Sequence, residues 1–417
     1  MGRLMRPSDT FSKIPKPLFI FILGTLTALS PFSIDMYLSA FPDIAQALGT
    51  TVSKVSLSLS SYFVGLAIGQ LFYGPLLDRF GRKPPLYAGL SLYILASVGC
   101  LMSHSIEALI FFRLVQALGG CVAGVASMSM VRDVFSTQES AKVLSLLILI
   151  LGASPLLAPT VGGYVSSHFG WASVFVALAA GATLLLLTSF FILPETHQAD
   201  RGVTLKLGPI TRVYLEVFRQ PQFRAFTLAG AVAFSGLFVY VAGSPIIFMG
   251  IFKVSAQVYG WIFAGLSVGF IGASQMNILL LKRFRNEQIL RGALTVQATA
   301  GTIFLVGTLL GGFSFCPTLI LLFFILSSIG FANPNAAAMA LAPFERNVGS
   351  AAALMGFLQM GLGATASVGV GIIGSETILP TAAILAFAGT MSLAILILGT
   401  RNLKIKTASA DAVAVAH

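Results

Sequence analysis

Charge is what this 417-residue chain most lacks. Asp, Glu, Lys and Arg together make up 9% of it, against about 25% in a soluble domain of average composition. So few charges cannot solvate a globular surface of this size, which excludes a water-soluble fold and leaves lipid to cover much of the molecule. Cysteine is equally scarce. Cys100, Cys121 and Cys316 all fall in apolar runs and form no Cys-x-x-Cys pair, so neither a disulfide framework nor a thiolate metal site is expected. The histidines (His104, His168, His197 and His417) form no metal-spaced pair, and no metal or cofactor is predicted. There is no G-x-x-x-x-G-K-[ST] phosphate loop and no cluster of catalytic side chains, which argues against ATP-driven transport and against an enzyme.

What the chain has in abundance is apolar sequence, 56% of all residues. Runs of about 20 apolar residues suit a membrane-crossing helix. Six lie in the first half, roughly at 18–40, 55–77, 84–102, 106–131, 140–164 and 170–193. Six more lie roughly at 223–248, 257–281, 291–311, 316–341, 350–372 and 377–399. The first run is as long as a spanning helix and contains Pro31 and Asp35, unlike a cleavable signal. The net charge of +11 gathers in short gaps between runs, with no basic stripe for nucleic acid. Of the 25 Lys and Arg residues, only Lys54 and Lys253 fall outside the loops and ends on one side, with Arg113 inside a span. The positive-inside rule makes that side cytoplasmic, with both termini on it.

The fold class predicted is an all-α integral membrane protein, twelve transmembrane helices in two pseudo-symmetric six-helix bundles. The bundles are 1–193 and 223–417, the second ending in a short cytoplasmic tail, with a polar cytoplasmic linker over 194–222. Arg79-Phe80 after the second span and Arg283-Phe284 after the eighth lie in matching places, and aligning them sets Gly65 opposite Gly269. Two joined six-helix halves are a known transporter plan.

The tight turn after the second span reads Gly74-Pro75-Leu76-Leu77-Asp78-Arg79-Phe80-Gly81-Arg82-Lys83. Gly74 permits close helix packing, Gly81 a turn that a Cβ would oppose, and Asp78 and Arg82 are spaced to pair. The stretch resembles the signature loop of the major facilitator superfamily. The resemblance implies a cytoplasmic latch in which Asp78, Arg82 and an acid at the inner end of the fourth span, matched here by Asp133, hold the halves outward-facing. The corresponding place after the eighth span, Lys282-Arg283-Phe284-Arg285-Asn286, has no acid where the first half has Asp78, so no second symmetric latch is expected.

Two charges sit within spans. Arg113 belongs to Arg113-x-x-Gln116-x-x-Gly119-Gly120 in the fourth, a motif that resembles the superfamily's proton-linked signature. At 1.5 Å per residue Arg113 is ~10 Å from the outer end of its span and Asp35 ~7 Å from the end of the first. Each is costly alone, so pairing or a shared wet cavity is the economical reading, and both are proton-coupling candidates. If rocking changes water access or the distance to Arg113, Asp35 loads a proton on one side and releases it on the other. A substrate competing for the carboxylate then gives antiport.

In the fifth span Gly152, Pro155, Pro159, Gly162 and Gly163 resemble the helix-bending motif of superfamily exporters, with Ala158 a departure from its usual glycine. Asp35-Met36-Tyr37-Leu38, Tyr240-Val241-Ala242-Gly243-Ser244-Pro245 and the run from Asn333 to Gln359 look like the Bcr/CflA branch of bacterial drug:proton antiporters, over about residues 20–400. In that fold spans 1, 4, 7 and 10 line the pathway, which makes Met36, Tyr37, Gln116, Phe238, Tyr240, Asn333 and Asn335 the cavity candidates. The resemblance implies a multi-pass inner-membrane protein, acting as a monomer, that exports small amphipathic or polar molecules against protons. The proton gradient stands where a cofactor would, and proton-coupled uptake or dedicated metabolite export is the alternative.

Overall fold

The computed structural model describes residues 14–135, 137–200, 207–311, 314–344, 348–373 and 377–403. The basic tails on which terminus placement rests, and Glu345, Arg346 and Asn347 within the third branch motif, lie outside the described residues. So do the surroundings of Gly152. The described residues form fourteen α-helices: α1 (Lys16–Leu38), α2 (Phe41–Ala47), α3 (Val52–Phe80), α4 (Lys83–Leu101), α5 (Ile106–Val134), α6 (Thr137–Phe169), α7 (Ala172–Phe191), α8 (Leu207–Arg219), α9 (Pro221–Pro245), α10 (Ala256–Leu280), α11 (Asn286–Leu309), α12 (Phe315–Leu341), α13 (Val348–Ile373) and α14 (Leu379–Thr400). Each predicted span overlaps one of the long helices. Among the described residues eleven are long and apolar enough to cross a membrane. The remaining long helix, α6, carries Pro155 and Pro159.

Local chemistry explains the boundaries. Thr51, Ser105 and Ser255 each accept a hydrogen bond from the backbone three residues on, which caps α3, α5 and α10. Pro245 has no N–H for the Val241 carbonyl, and the Ser244 hydroxyl donates to that carbonyl instead at 3.3 Å. Beyond it the chain widens into a π-helical stretch, Ile246–Ile251, closing with Phe252 N–H on the Ile247 carbonyl.

The helices pack twice in one pattern. α1 lies on α6, α3 on α5, and α4 on α5 and α7; α9 lies on α13, α10 on α12, and α11 on α12 and α14. A Cβ on Gly65 would stand 2.6 Å from the Leu114 carbonyl oxygen in α5, and one on Gly269 2.7 Å from the Phe323 ring in α12. Both glycines therefore bring equivalent helix pairs close, as their alignment predicts. Large apolar side chains such as Leu95, Phe111, Leu184, Phe191, Trp261, Phe387 and Leu398 are exposed on both halves. Only lipid could cover so much apolar surface.

The halves meet through α3 against α13 and α6 against α10. At the end opposite the linker, here the far end, Ser60 and Ser367 share a 2.6 Å hydrogen bond. A Cβ on Gly371 would touch Leu57, and one on Gly260 would touch Thr160. Nearer the linker end Gln70 stays against Gly356, whereas Gly124 of α5 and Gly361 of α13 have open space where a side chain would begin. The structure is thus closed at the far end.

The polar linker is not featureless. It contains α8, whose Tyr214, Val217 and Phe218 pack into the second half's apolar cluster while Leu215 and the Arg212–Glu216 pair face outward. The helical spacing of those apolar residues was there to be read.

Candidate functional site

At the linker end Gly81 closes α3 with φ +87°, and a Cβ there would stand 3.0 Å from the Glu195 carboxylate. This left-handed turn aims the Arg82 side chain back under the bundle. Its guanidinium donates to Asp78 at 2.7 Å, and in a fork to both oxygens of Asp133 at 2.8 and 3.0 Å. Burial alone would lower the Arg82 pKa, but the hydrogen bonds and charges of Asp133 and Asp78 overcome it and leave the value raised. The guanidinium stays charged.

Two partners went unassigned in the sequence. Glu195 accepts from the backbone N–H groups of Arg82 and Lys83 at 2.8 and 3.0 Å, placing a carboxylate on the free donors at the start of α4. Thr196 donates to Asp133 at 2.9 Å, and the Lys83 amine to the Leu193 carbonyl at 2.6 Å. The signal was the acid directly after a span in Pro194-Glu195-Thr196. Arg79 lies over the Phe80 ring, and a Cβ on Gly74 would meet nothing within 4 Å among the described residues. The partners of Arg82 and Asp133 named here all belong to the first half and the start of the linker. Among the described residues the clasp ties the ends of α3, α4 and α5 to that strap, with Arg82 donating to carboxylates of its own bundle.

The two intramembrane charges do not pair. Arg113 is fully buried between the rings of Tyr37 and Tyr62, at 4.4 and 4.2 Å from their centroids. It donates to Gln116 at 2.7 Å and to the Ser33 carbonyl at 3.2 Å, and Gln116 donates to Ser97 at 2.7 Å. Two aromatic faces can stabilise a desolvated guanidinium by about 2 kcal/mol each. Asp35 is also buried, but it accepts from Ser154 of α6 at 3.4 Å and lies within electrostatic reach of Tyr240 and Tyr259 from the other half. Of the two arrangements expected, pairing fails on helical geometry: Ser33 and Asp35, two residues apart, point about 160° away from each other around α1.

The cavity candidates divide. Phe238 meets Phe63 of the first half edge-on at 4.5 Å, and Tyr240 stacks on Phe263 of α10 near Asp35. Asn333 accepts from Gln359 of α13 at 2.9 Å. Met36 is buried at α6, where its backbone abuts Gly162. Tyr37, Gln116 and Asn335 find their partners inside their own bundles. Tyr37 bonds Ser58 and packs on Phe41 and Phe175. Gln116 serves Arg113. Asn335 donates to Asn277 at 2.7 Å and accepts from Asn286 at 3.1 Å. These polar groups are buried because neighbours of the same half satisfy them.

α6 stands where both halves can use it. Its Pro159 carbonyl accepts from Ser39 at 2.7 Å, Gly162 lets the α1 backbone approach, and Gly163 faces Ala256 of α10. Pro155 and Pro159 each leave a carbonyl without its helical donor, the usual cause of a bend.

Residues 23–368 match the family model for the Major Facilitator Superfamily. A bicyclomycin resistance protein homolog of Haemophilus influenzae is 33% identical, over 93% of this chain and 97% of its own. The multidrug resistance protein MdtL of Shewanella oneidensis is 30% identical over 80% of this chain and 84% of its own. Among solved structures, a D-xylose-proton symporter at 13% identity superposes with a TM-score of 0.69, over 93% of this chain and 97% of that one, and so shares the fold. The twofold helical pattern, the buried intramembrane charges and these relatives agree: the chain is a multi-pass membrane transporter of the Major Facilitator Superfamily, in its bicyclomycin-resistance branch.

Proposed function

We propose that the protein is a proton-coupled antiporter that exports drugs or small amphipathic and polar molecules across the bacterial inner membrane by alternating access. The linker end and both termini are cytoplasmic, the twelve long helices all span, and the monomer is the working unit. The proton gradient supplies the energy. Relatives named for bicyclomycin and multidrug resistance support export of drugs.

The observation that carries proton coupling is Asp35. It is a buried carboxylate without a cationic partner among the described residues, held by one long hydrogen bond from Ser154. Such a group is sensitive to any change in water access, which is what rocking of the halves would produce. Transport follows if a substrate and a proton compete for it, each displacing the other by linkage.

The test is bicyclomycin accumulation in inverted membrane vesicles under an imposed pH gradient, acid inside. The native protein is expected to accumulate drug uphill, and Asp35→Asn to lose gradient-driven accumulation while still equilibrating it. Uphill accumulation by Asp35→Asn would remove Asp35 as the coupling group. Accumulation only in right-side-out vesicles would make the protein an uptake system.

A further inference from the structure

The second half meets the first with almost no charge. α10, α12 and α13 contain no Asp, Glu, Lys or Arg, and α9 has only Arg224, at its linker end. What stands there instead is a pair of amides. Gln359 of α13 donates to the side-chain oxygen of Asn333 of α12 at 2.9 Å, which uses one half of each amide. The Asn333 nitrogen and the Gln359 oxygen have no further hydrogen bond among the described residues, and both side chains are half-buried. The pair thus keeps a donor and an acceptor side by side.

Helix geometry turns this edge towards the first half. Gln359 lies between Gly356 and Gly363 on one face of α13, three residues after the one and four before the other. Gly356 lies against the Gln70 amide of α3, and Gly363 against the Phe238 ring of α9. α12 and α13 both pack on α9. Gly230 of α9 faces Ala336 of α12, which sets Asn333 about level with Phe234, whose ring meets Phe238 at 5.6 Å. The amide pair therefore joins two helices across the aromatic face of α9. Gln70 comes to it from the first half, half-buried and itself without a hydrogen bond among the described residues. The seam that starts with Leu57 against Gly371 reaches Gln70 here, and Gly361 has open space beside it.

We propose that Asn333 and Gln359, with Gln70 opposite, form a neutral recognition edge that selects uncharged substrates carrying an N–H or O–H beside a carbonyl oxygen on an apolar body. The inference rests on the export reading above and names its substrate class. The substrate's N–H or O–H donates to the Gln359 oxygen, and its carbonyl accepts from the Asn333 nitrogen. Phe234 and Phe238 cover the apolar body, the usual division of labour in a small-molecule site. A molecule lacking the polar edge leaves these amides unpaired, and such sites reject it for that reason. A cation finds no counter-charge on this wall, so the cost of stripping its water is not offset.

The test is equilibrium dialysis of radiolabelled bicyclomycin, an uncharged molecule with ring amides and hydroxyls, against the full-length protein in detergent. Asn333→Leu with Gln359→Leu is expected to weaken binding about tenfold or more, the scale of one lost hydrogen bond. Replacing both partners of a bonded pair by apolar groups is nearly neutral for stability, so this double variant should unfold at the native SDS concentration. Gln70→Met strands no partner at all and should weaken binding about threefold, which keeps the test open if the double variant folds poorly. Tetraphenylphosphonium, a cation with neither donor nor acceptor, should displace bicyclomycin at least about tenfold less well than unlabelled bicyclomycin does. Native affinity in the double variant, or in Gln70→Met where the double variant does not fold, overturns the inference. Equal displacement by the cation, or no binding of bicyclomycin by the native protein, overturns the substrate class. The vesicle experiment judges export separately: native protein that binds bicyclomycin but never accumulates it keeps the recognition edge and loses the export reading. Undiminished accumulation by the double variant does the reverse.

Discussion

The two halves fasten the same corner with different chemistry. In the first, Arg82 at the start of α4 bridges Asp78 at the end of α3 and Asp133 at the end of α5. The register that sets Arg79-Phe80 against Arg283-Phe284 also sets Asn286 opposite Arg82. There Asn286 and Asn335 bond side chain to side chain, and Asn335 reaches on to Asn277, joining α11, α12 and α10 with amides alone. The second half thus has a clasp where its sequence, lacking an acid, gave no reason to expect a latch. A charged clasp can answer to ionisation, salt and a carboxylate-bearing strap such as Glu195. A neutral one cannot, and suits a bundle that keeps its shape through the cycle.

The contrast predicts its largest effect at Arg82. Arg82→Met leaves Asp133, only 14% exposed, with Thr196 as its remaining partner, and should cost about 3 kcal/mol, the low end for breaking a buried pair. An SDS titration of the detergent-solubilised protein reads it, and adding Asp133→Leu should restore much of the loss, since an apolar pair replaces the ionic one. Asn335→Ala should cost about 2 kcal/mol by stranding Asn277 and Asn286, the price of unpaired buried amides. Equal losses at the two sites would mean that charge adds nothing to the first clasp.

Glycine spacing sharpens the comparison further. In Gly65→Ala the new methyl meets a backbone carbonyl 2.6 Å away, which can only retreat with α5; in Gly269→Ala it meets the Phe323 ring and the Ser327 hydroxyl, which can rotate. Expected costs are about 2 kcal/mol for the first and about 1 for the second, within the range for overpacked interiors. The same titration checks both, and a reversed order would show α12 to be the stiffer helix.

How far the sequence could be read depended on whether the partners were close along the chain. The turn from Gly74 to Lys83 was legible because its chemistry sits in ten contiguous residues, and the spans because length and hydropathy are local. The rise per residue also set Asp35 and Arg113 at similar depths. It could not say which way around α1 each neighbour lay, so an ion pair or a shared wet cavity is what it offers where the helix turns its Ser33 carbonyl to Arg113 and its Asp35 side chain elsewhere. Nor does the sequence show the partners that Tyr37, Gln116 and Asn335 find in their own bundles, since a polar residue in a span looks alike whether it faces a pathway or a bundle interior. Glu195 and Asn277 were missed because they act across helices on groups far away in sequence.

The smallest effect separates the clasps most cleanly. Asp78 is 53% exposed and meets Arg82 from one turn away, so Asp78→Asn should cost only about 0.5 kcal/mol at low ionic strength. Raising the salt to about 1 M shortens the screening length to about 3 Å, and the cost of Asp78→Asn should fall towards zero. The cost of Asn335→Ala should not move, because no net charge takes part. Salt is thus a switch on one half only. A salt-insensitive Asp78→Asn would mean that geometry rather than charge holds that arm of the clasp. A salt-sensitive Asn335→Ala would mean that the amide network leans on a charge beyond its own three residues, and the second half would no longer be the neutral partner.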